Sequence, residues 1–126
     1  MAQLIIKGKL PGLNEYIEAE RRNRYKAAQM KREAEATVAW VIKANHMKPI
    51  SRPVVMRYKW FEPNRKRDMD NISSYGRKVI QDALVKMGIL KGDGWKYIRG
   101  FTDEFLVDKV NPRIEINIEE VNDGNL

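Results

Sequence analysis

The chain opens on alternation. Leu4, Ile6 and Leu10 recur through a segment from Gln3 to Leu10 that stops at Pro11-Gly12, the pattern of a strand closed by a turn. No Pro and no Gly then appear until Pro49, and Asn14 is a suitable N-cap. About Glu15 to Asn45 is therefore predicted to be helical, with room for one break at Arg22-Asn23. Ala34, Val38, Val41 and Ile42 recur at helical spacing and give the later half a buried stripe. The earlier half is mostly charged, with Tyr16, Ile17, Tyr25 and Ala28 among its apolar residues, and is expected at the surface. Pro49 and Pro53 bracket a connector, and Val54 to Phe61, rich in β-branched and aromatic residues, predicts a strand that Pro63-Asn64 ends. From Asn71 to Met87 the apolar positions Ile72, Tyr75, Val79, Ile80, Ala83, Leu84 and Met87 follow helical spacing, with Gly88 at C′. Gly92-Asp93-Gly94 is a loop, Trp95 to Val107 a strand bent at Gly100, and Arg113 to Val121 a last strand with Ile114, Ile116 and Ile118 on one face.

The order β-α-β-α-β-β predicts an α/β (α+β) domain of two layers, a small mixed four-stranded sheet with two helices on one face. Residues 1–121 form a single domain in this reading, and 122–126 a frayed tail. A sheet this small leaves apolar helix surface to cover, which suggests a dimer.

Charge adds a direction. Among 126 residues there are 24 Lys and Arg against 17 Asp and Glu, a formal charge of +7, with a pI near 9.7. Such a balance favours nucleic acid or an anionic surface as partner. Arg21, Arg22, Arg24, Lys26, Lys31 and Arg32 form one acid-free basic run, and Arg65-Lys66-Arg67 a second. Glu115, Glu119, Glu120 and Asp123 make the end of the chain acidic. There is no Cys and one His, His46, so disulfides, thiol nucleophiles and HEXXH zinc chemistry are out. His46 reads as a plain surface residue, and Trp40, Trp60 and Trp95 as core or interface. No apolar run reaches the roughly 20 residues of a membrane span, and a cytoplasmic protein is expected.

The second basic run leads directly into Asp68-Met69-Asp70-Asn71. On extended backbone, residues two apart point the same way, and paired carboxylates repel unless a cation sits between them. Basic neighbours could bring phosphates to that cation. Mg²⁺ on a few carboxylate oxygens, neutralising phosphate and lowering the pKa of water, is what phosphodiester hydrolysis requires. The plain alternative is that Asp68 or Asp70 simply caps the following helix. Asp93 is a candidate third ligand, equally readable as a turn aspartate. The helix would carry it roughly 25 Å from the pair, unless the sheet or a second subunit brings it back. Asp82 and Lys78, on that helix, read as solvated residues.

RKRDMDN, then RKVIQDAL, then MGILKGDGWKY resemble the RusA-type Holliday junction resolvase family, particularly its forms in phages and prophages of Gram-positive bacteria. The resemblance is specific from Arg65 to Trp95, and LPGLNEY and NPRIEINIEE are compatible with it. It implies a homodimeric, Mg²⁺-dependent endonuclease (Mn²⁺ being a possible substitute) that cuts four-way junctions symmetrically. It also implies that Asp68, Asp70 and Asp93 bind metal and are catalytic, gathered beside the dimer interface. The family's lysine one turn after the second aspartate is Ser74 here. Lys78, after what looks like a one-turn insertion, is the nearest match, with Arg77 as substitute, and Asp82 matches an acidic position of relatives.

The resulting expectation is a homodimeric Mg²⁺-dependent nuclease that resolves branched DNA by paired nicks. Arg21, Arg22, Arg24, Lys26, Lys31, Arg32, Arg65, Lys66 and Arg67 would hold the DNA backbone, and no membrane is involved. Two readings compete: a non-catalytic basic nucleic-acid-binding protein, and a nuclease acting more broadly on branched DNA.

Overall fold

A computed structural model describes residues 2–122. The predicted tail is thus outside the described residues from 123 on. The elements run β1 (Ala2–Lys7), α1 (Leu13–Arg22), α2 (Arg24–Ala44), β2 (Val54–Glu62), α3 (Met69–Lys86), β3 (Ile98–Val107) and β4 (Arg113–Glu120). Among the described residues there are three helices: α2 and α3 pack on the sheet, as the two predicted helices would, and α1 lies against those two helices. The long first helical segment divides at Asn23, which is extended (φ −167°) and whose side chain accepts the N–H of Tyr25 at 2.9 Å. A cap residue in mid-segment restarts the helix in a new direction.

The sheet order is β1-β4-β2-β3. β4 pairs antiparallel with both β1 and β2, and β2 pairs parallel with β3. A parallel pair needs a crossover, and α3 supplies it. Strand alternation separates the two faces as predicted. Leu4 and Ile6, Val54, Met56, Tyr58 and Trp60, and Ile114, Ile116 and Ile118 are buried against Val38 and Ile42 of α2 and Val79, Ile80 and Leu84 of α3. The opposite face is polar and half-exposed. Glu119 and Glu115, part of the acidic end, are paired there with Arg57 at 2.9 Å and Arg113 at 2.6 Å.

Close packing of α3 on β2 depends on one glycine. A Cβ on Gly76 would lie 3.0 Å from the Trp60 ring, so the helix comes close enough for Trp60 to be almost wholly buried. Its indole N–H donates to Asp103 Oδ1 at 2.9 Å, and Gln81 Nε2 donates to the Tyr58 hydroxyl at 3.2 Å. Of the three tryptophans only Trp60 is core. Trp40 and Trp95 are 72% and 93% exposed, because each stands on the solvent side of its segment. β3 begins three residues later than predicted. Its pairing shifts between Val54↔Ile98 and Val55↔Gly100, leaving Arg99 as the extra residue of a bulge beside the glycine where a bend was expected. His46 follows α2 at φ +52°, in the left-handed region that histidine enters more readily than most residues.

A candidate active site at the start of α3

Asp68 is the N-cap of α3, with extended backbone, and Asp70 lies in the helix's first turn. The pair is therefore not on extended chain, as the two-residue period assumed. The helix begins two residues before the predicted Asn71, because acidic residues suit the positive end of a helix. Both carboxylates are nevertheless exposed. Asp68 makes no side-chain cap hydrogen bond, so the plain capping role leaves its oxygens unused. Neither aspartate has an ion-pair partner among the described residues. They stand at the carboxyl end of β2, where loops of parallel strand pairs commonly bind ligands.

Asp93 is elsewhere. Its Oδ2 accepts from Lys78 Nζ at 2.9 Å, and Lys78 also lies 3.1 Å from Asp82 Oδ1. Lys78 follows Asp70 by eight residues, about 12 Å along a helix. The loop therefore comes back part of the way along α3 but does not reach the acidic turn. Among the described residues, no three of His, Cys, Asp and Glu come close enough together to hold a metal ion. Asp68 and Asp70 have the hard oxygen donors that Mg²⁺ takes, and Asp93 of the same chain does not join them.

The Lys78–Asp93 contact sets the charge of both partners. The hydrogen bond from Lys78 holds the Asp93 carboxyl below its ordinary range, and those to Asp93 and Asp82 hold Lys78 above its own. A depressed Asp93 contributes stability above the unfolded carboxylate pKa and loses it as pH falls through the folded value. A raised Lys78 contributes below the unfolded lysine pKa and loses it as pH rises through the folded one. The contact is thus intact between about pH 4 and pH 10. Lys78→Met is expected to raise the Asp93 titration toward the ordinary carboxylate value, followed by NMR of its side-chain carboxyl carbon. An unchanged midpoint would show that the pair does not form in solution.

The basic residues divide into two groups. Arg21, Arg24, Lys26, Arg32, Arg65 and Lys66 are exposed and have no ion-pair partner among the described residues. Arg22, also exposed, pairs locally with Glu18 at 2.9 Å. Lys31 is turned to Asp82 at 3.1 Å, so Asp82 joins α2 to α3 and is not a solvated residue. Arg67 differs most from its expected place on DNA. Its guanidinium donates to both oxygens of Glu62 at 2.8 Å, and to the Leu10 carbonyl at 3.1 Å. The two side chains are only 15% and 8% exposed, so Arg67 braces the turn from below.

Glu62, Asp103 and Glu35 are the polar residues the sequence reading passed over. Glu62 occupies an inward position of β2, in phase with Tyr58 and Trp60, and an acid in that phase was the available signal. Asp103 binds Arg77 at 2.6 Å, which occupies the arginine named as a substitute for Lys78. Glu35, buried on α2, is held by Lys86.

A cavity of about 420 Å³ lies beside the acidic turn, lined by Glu62, Asn64, Arg65, Asp68, Ile72 and Phe105 among others. No helix among the described residues is long and apolar enough to cross a membrane. No curated protein matches the chain. The sequence pattern of the family described as Endodeoxyribonuclease RusA matches residues 10–119, a span that takes in the acidic turn, the whole of α3 and the Asp93 loop. This chain, with two exposed carboxylates at the head of its crossover helix, belongs to the RusA family of Holliday junction endodeoxyribonucleases.

Proposed function

We propose that the protein is a homodimeric, Mg²⁺-dependent endodeoxyribonuclease that resolves Holliday junctions by paired, symmetric nicks in the cytoplasm. The observation that carries this reading is the head of α3. Two exposed acids are left there without an ion-pair partner among the described residues, in a protein of net charge +7 with exposed Arg65 and Lys66 directly before them. A protein that only bound phosphate would gain nothing from acids at that point. Asp68 and Asp70 would hold the ion, which when bound neutralises phosphate charge and supplies a nucleophile at neutral pH; Mn²⁺ would serve as well.

The third acid is proposed to come from the second copy. The partner subunit's Asp93 would complete the site and bring with it the partner's Lys78, which stays cationic and can stabilise charge on the phosphate. β3 is an edge strand with Phe101 50% and Val107 43% exposed, which is consistent with a partner along that side. Arg21, Arg22, Arg24, Lys26, Arg32, Arg65 and Lys66 would engage the DNA backbone, each neutralised phosphate steepening the dependence of binding on salt. Lys31 and Arg67, already engaged within the chain, are not part of that surface.

Labelled four-way junction, Y-fork and plain duplex, each incubated with and without Mg²⁺, test the reading. Cleavage of the junction alone, only with Mg²⁺, is expected. Equal rates on all three substrates would favour the broader nuclease, and binding without cleavage a non-catalytic module.

A further inference from the structure

α1 contains no buried residue, yet its first turns are firmly held. Every helix leaves four N–H donors without partners in its first turn, and a local Ser, Thr, Asp or Asn usually accepts one of them. Here the N-cap is Gly12, which has no such group. The acceptor comes instead from α3: Asn71 Oδ1 takes the N–H of Asn14 at 2.8 Å, across 57 positions of sequence. The glycine is what admits it, since a Cβ on Gly12 would lie 2.5 Å from Asn71 Oδ1 and 3.0 Å from the Asn71 carbonyl oxygen. Glu15 Oε1 accepts the Gly12 N–H at 3.2 Å and lies 3.7 Å from Arg67 Nη1. Tyr16 stacks on Tyr75, ring centres 4.7 Å apart. The far end of the helix, with Arg21, Arg22 and then Arg24, stands in solvent.

We infer that Asn71 is a positioning residue that caps α1 from the neighbouring helix and so couples the basic end of α1 to the turn carrying Asp68 and Asp70. The consequence for DNA rests on the nuclease reading above; the docking does not. Strand and metal would then be presented by one rigid unit, because the residue next to Asp70 also fixes the direction of the arginines.

Limited trypsin digestion of the full chain, with masses assigning the cuts, reads the docking without any activity. Asn71→Ala is expected to speed cutting after Arg21, Arg22 and Arg24 about fivefold, the factor for losing one net hydrogen bond. Gly12→Ala should do the same from the other side. Asn71→Asp, which keeps an acceptor oxygen in place, should return cutting to the wild-type rate. Cutting after Lys59, inside β2, should not change in any variant. On junction DNA, Asn71→Ala should raise KM about fivefold and move kcat less than twofold. A wild-type digestion rate for Asn71→Ala, an equal rise after Lys59, failure of the Asp variant to restore it, or a fall in kcat at constant KM would each overturn the inference. If digestion follows the expected pattern while the wild-type protein cuts no junction, the docking stands and the nuclease reading fails.

Discussion

Asp70→Asn is expected to lower Mg²⁺-dependent junction cleavage by about three orders of magnitude, equivalent to roughly 4 kcal/mol of barrier. The substitution keeps the shape of the side chain and removes its charge. Asp70 is exposed and has no ion-pair partner among the described residues, so thermal stability and junction binding without metal should stay near wild type. Asp93→Asn should be as inactive. The two inactive proteins separate the possible origins of the third acid. If the partner's Asp93 completes each site, denaturing and refolding them together gives a mixed dimer with one site intact and the other lacking both residues. Such a mixture should recover nicking of one strand, at up to about a quarter of the wild-type rate for random pairing. No recovery, in a mixture shown to exchange subunits, would place Asp93 and Asp70 in the same subunit's site. The glycine-flanked loop would then have to travel the rest of the way along α3.

The second large effect concerns stability. Glu62→Ala is expected to cost about 3 kcal/mol, because it takes the bidentate counter-charge from the largely buried Arg67 guanidinium and leaves it only the exposed Glu15 at 3.7 Å. In a domain of this size that lowers the Tm by roughly 10 °C or more. The double variant Glu62→Leu with Arg67→Met should recover much of the loss, since removing both charges of a buried pair is often nearly neutral. The measurement is a thermal melt followed by circular dichroism. If Arg67 instead faced solvent and DNA, Glu62→Ala would cost less than 1 kcal/mol, the value of an exposed pair.

The strands were legible because alternation is a local property. Ile114, Ile116 and Ile118 mark a buried face whatever lies opposite, and all three are buried. α3 was legible for the same reason, and its two extra residues at the start were not, since Met69 and Asp70 fall outside the apolar spacing that marked the rest. The acidic pair could be singled out from its spacing, although the extended geometry assumed for it was wrong. What the sequence could not show is which charges neutralise one another. Arg67 and Arg65 look alike as letters, but one meets a buried glutamate at the end of β2 and the other faces solvent. The same holds for Lys31 and Lys26, which Asp82 separates from far along the chain. Partners distant in sequence leave no periodic trace.

The placement of β4 has a consequence for how the molecule is made. β4, synthesised after the other three described strands, is not added at an edge; it slides between β1 and β2 and pairs with both. Until it arrives, the first strand has no neighbour in the sheet, and one flank of β2 is open. A nascent chain halted before Arg113 therefore presents two bare strand margins, a state prone to aggregation and suited to chaperone capture.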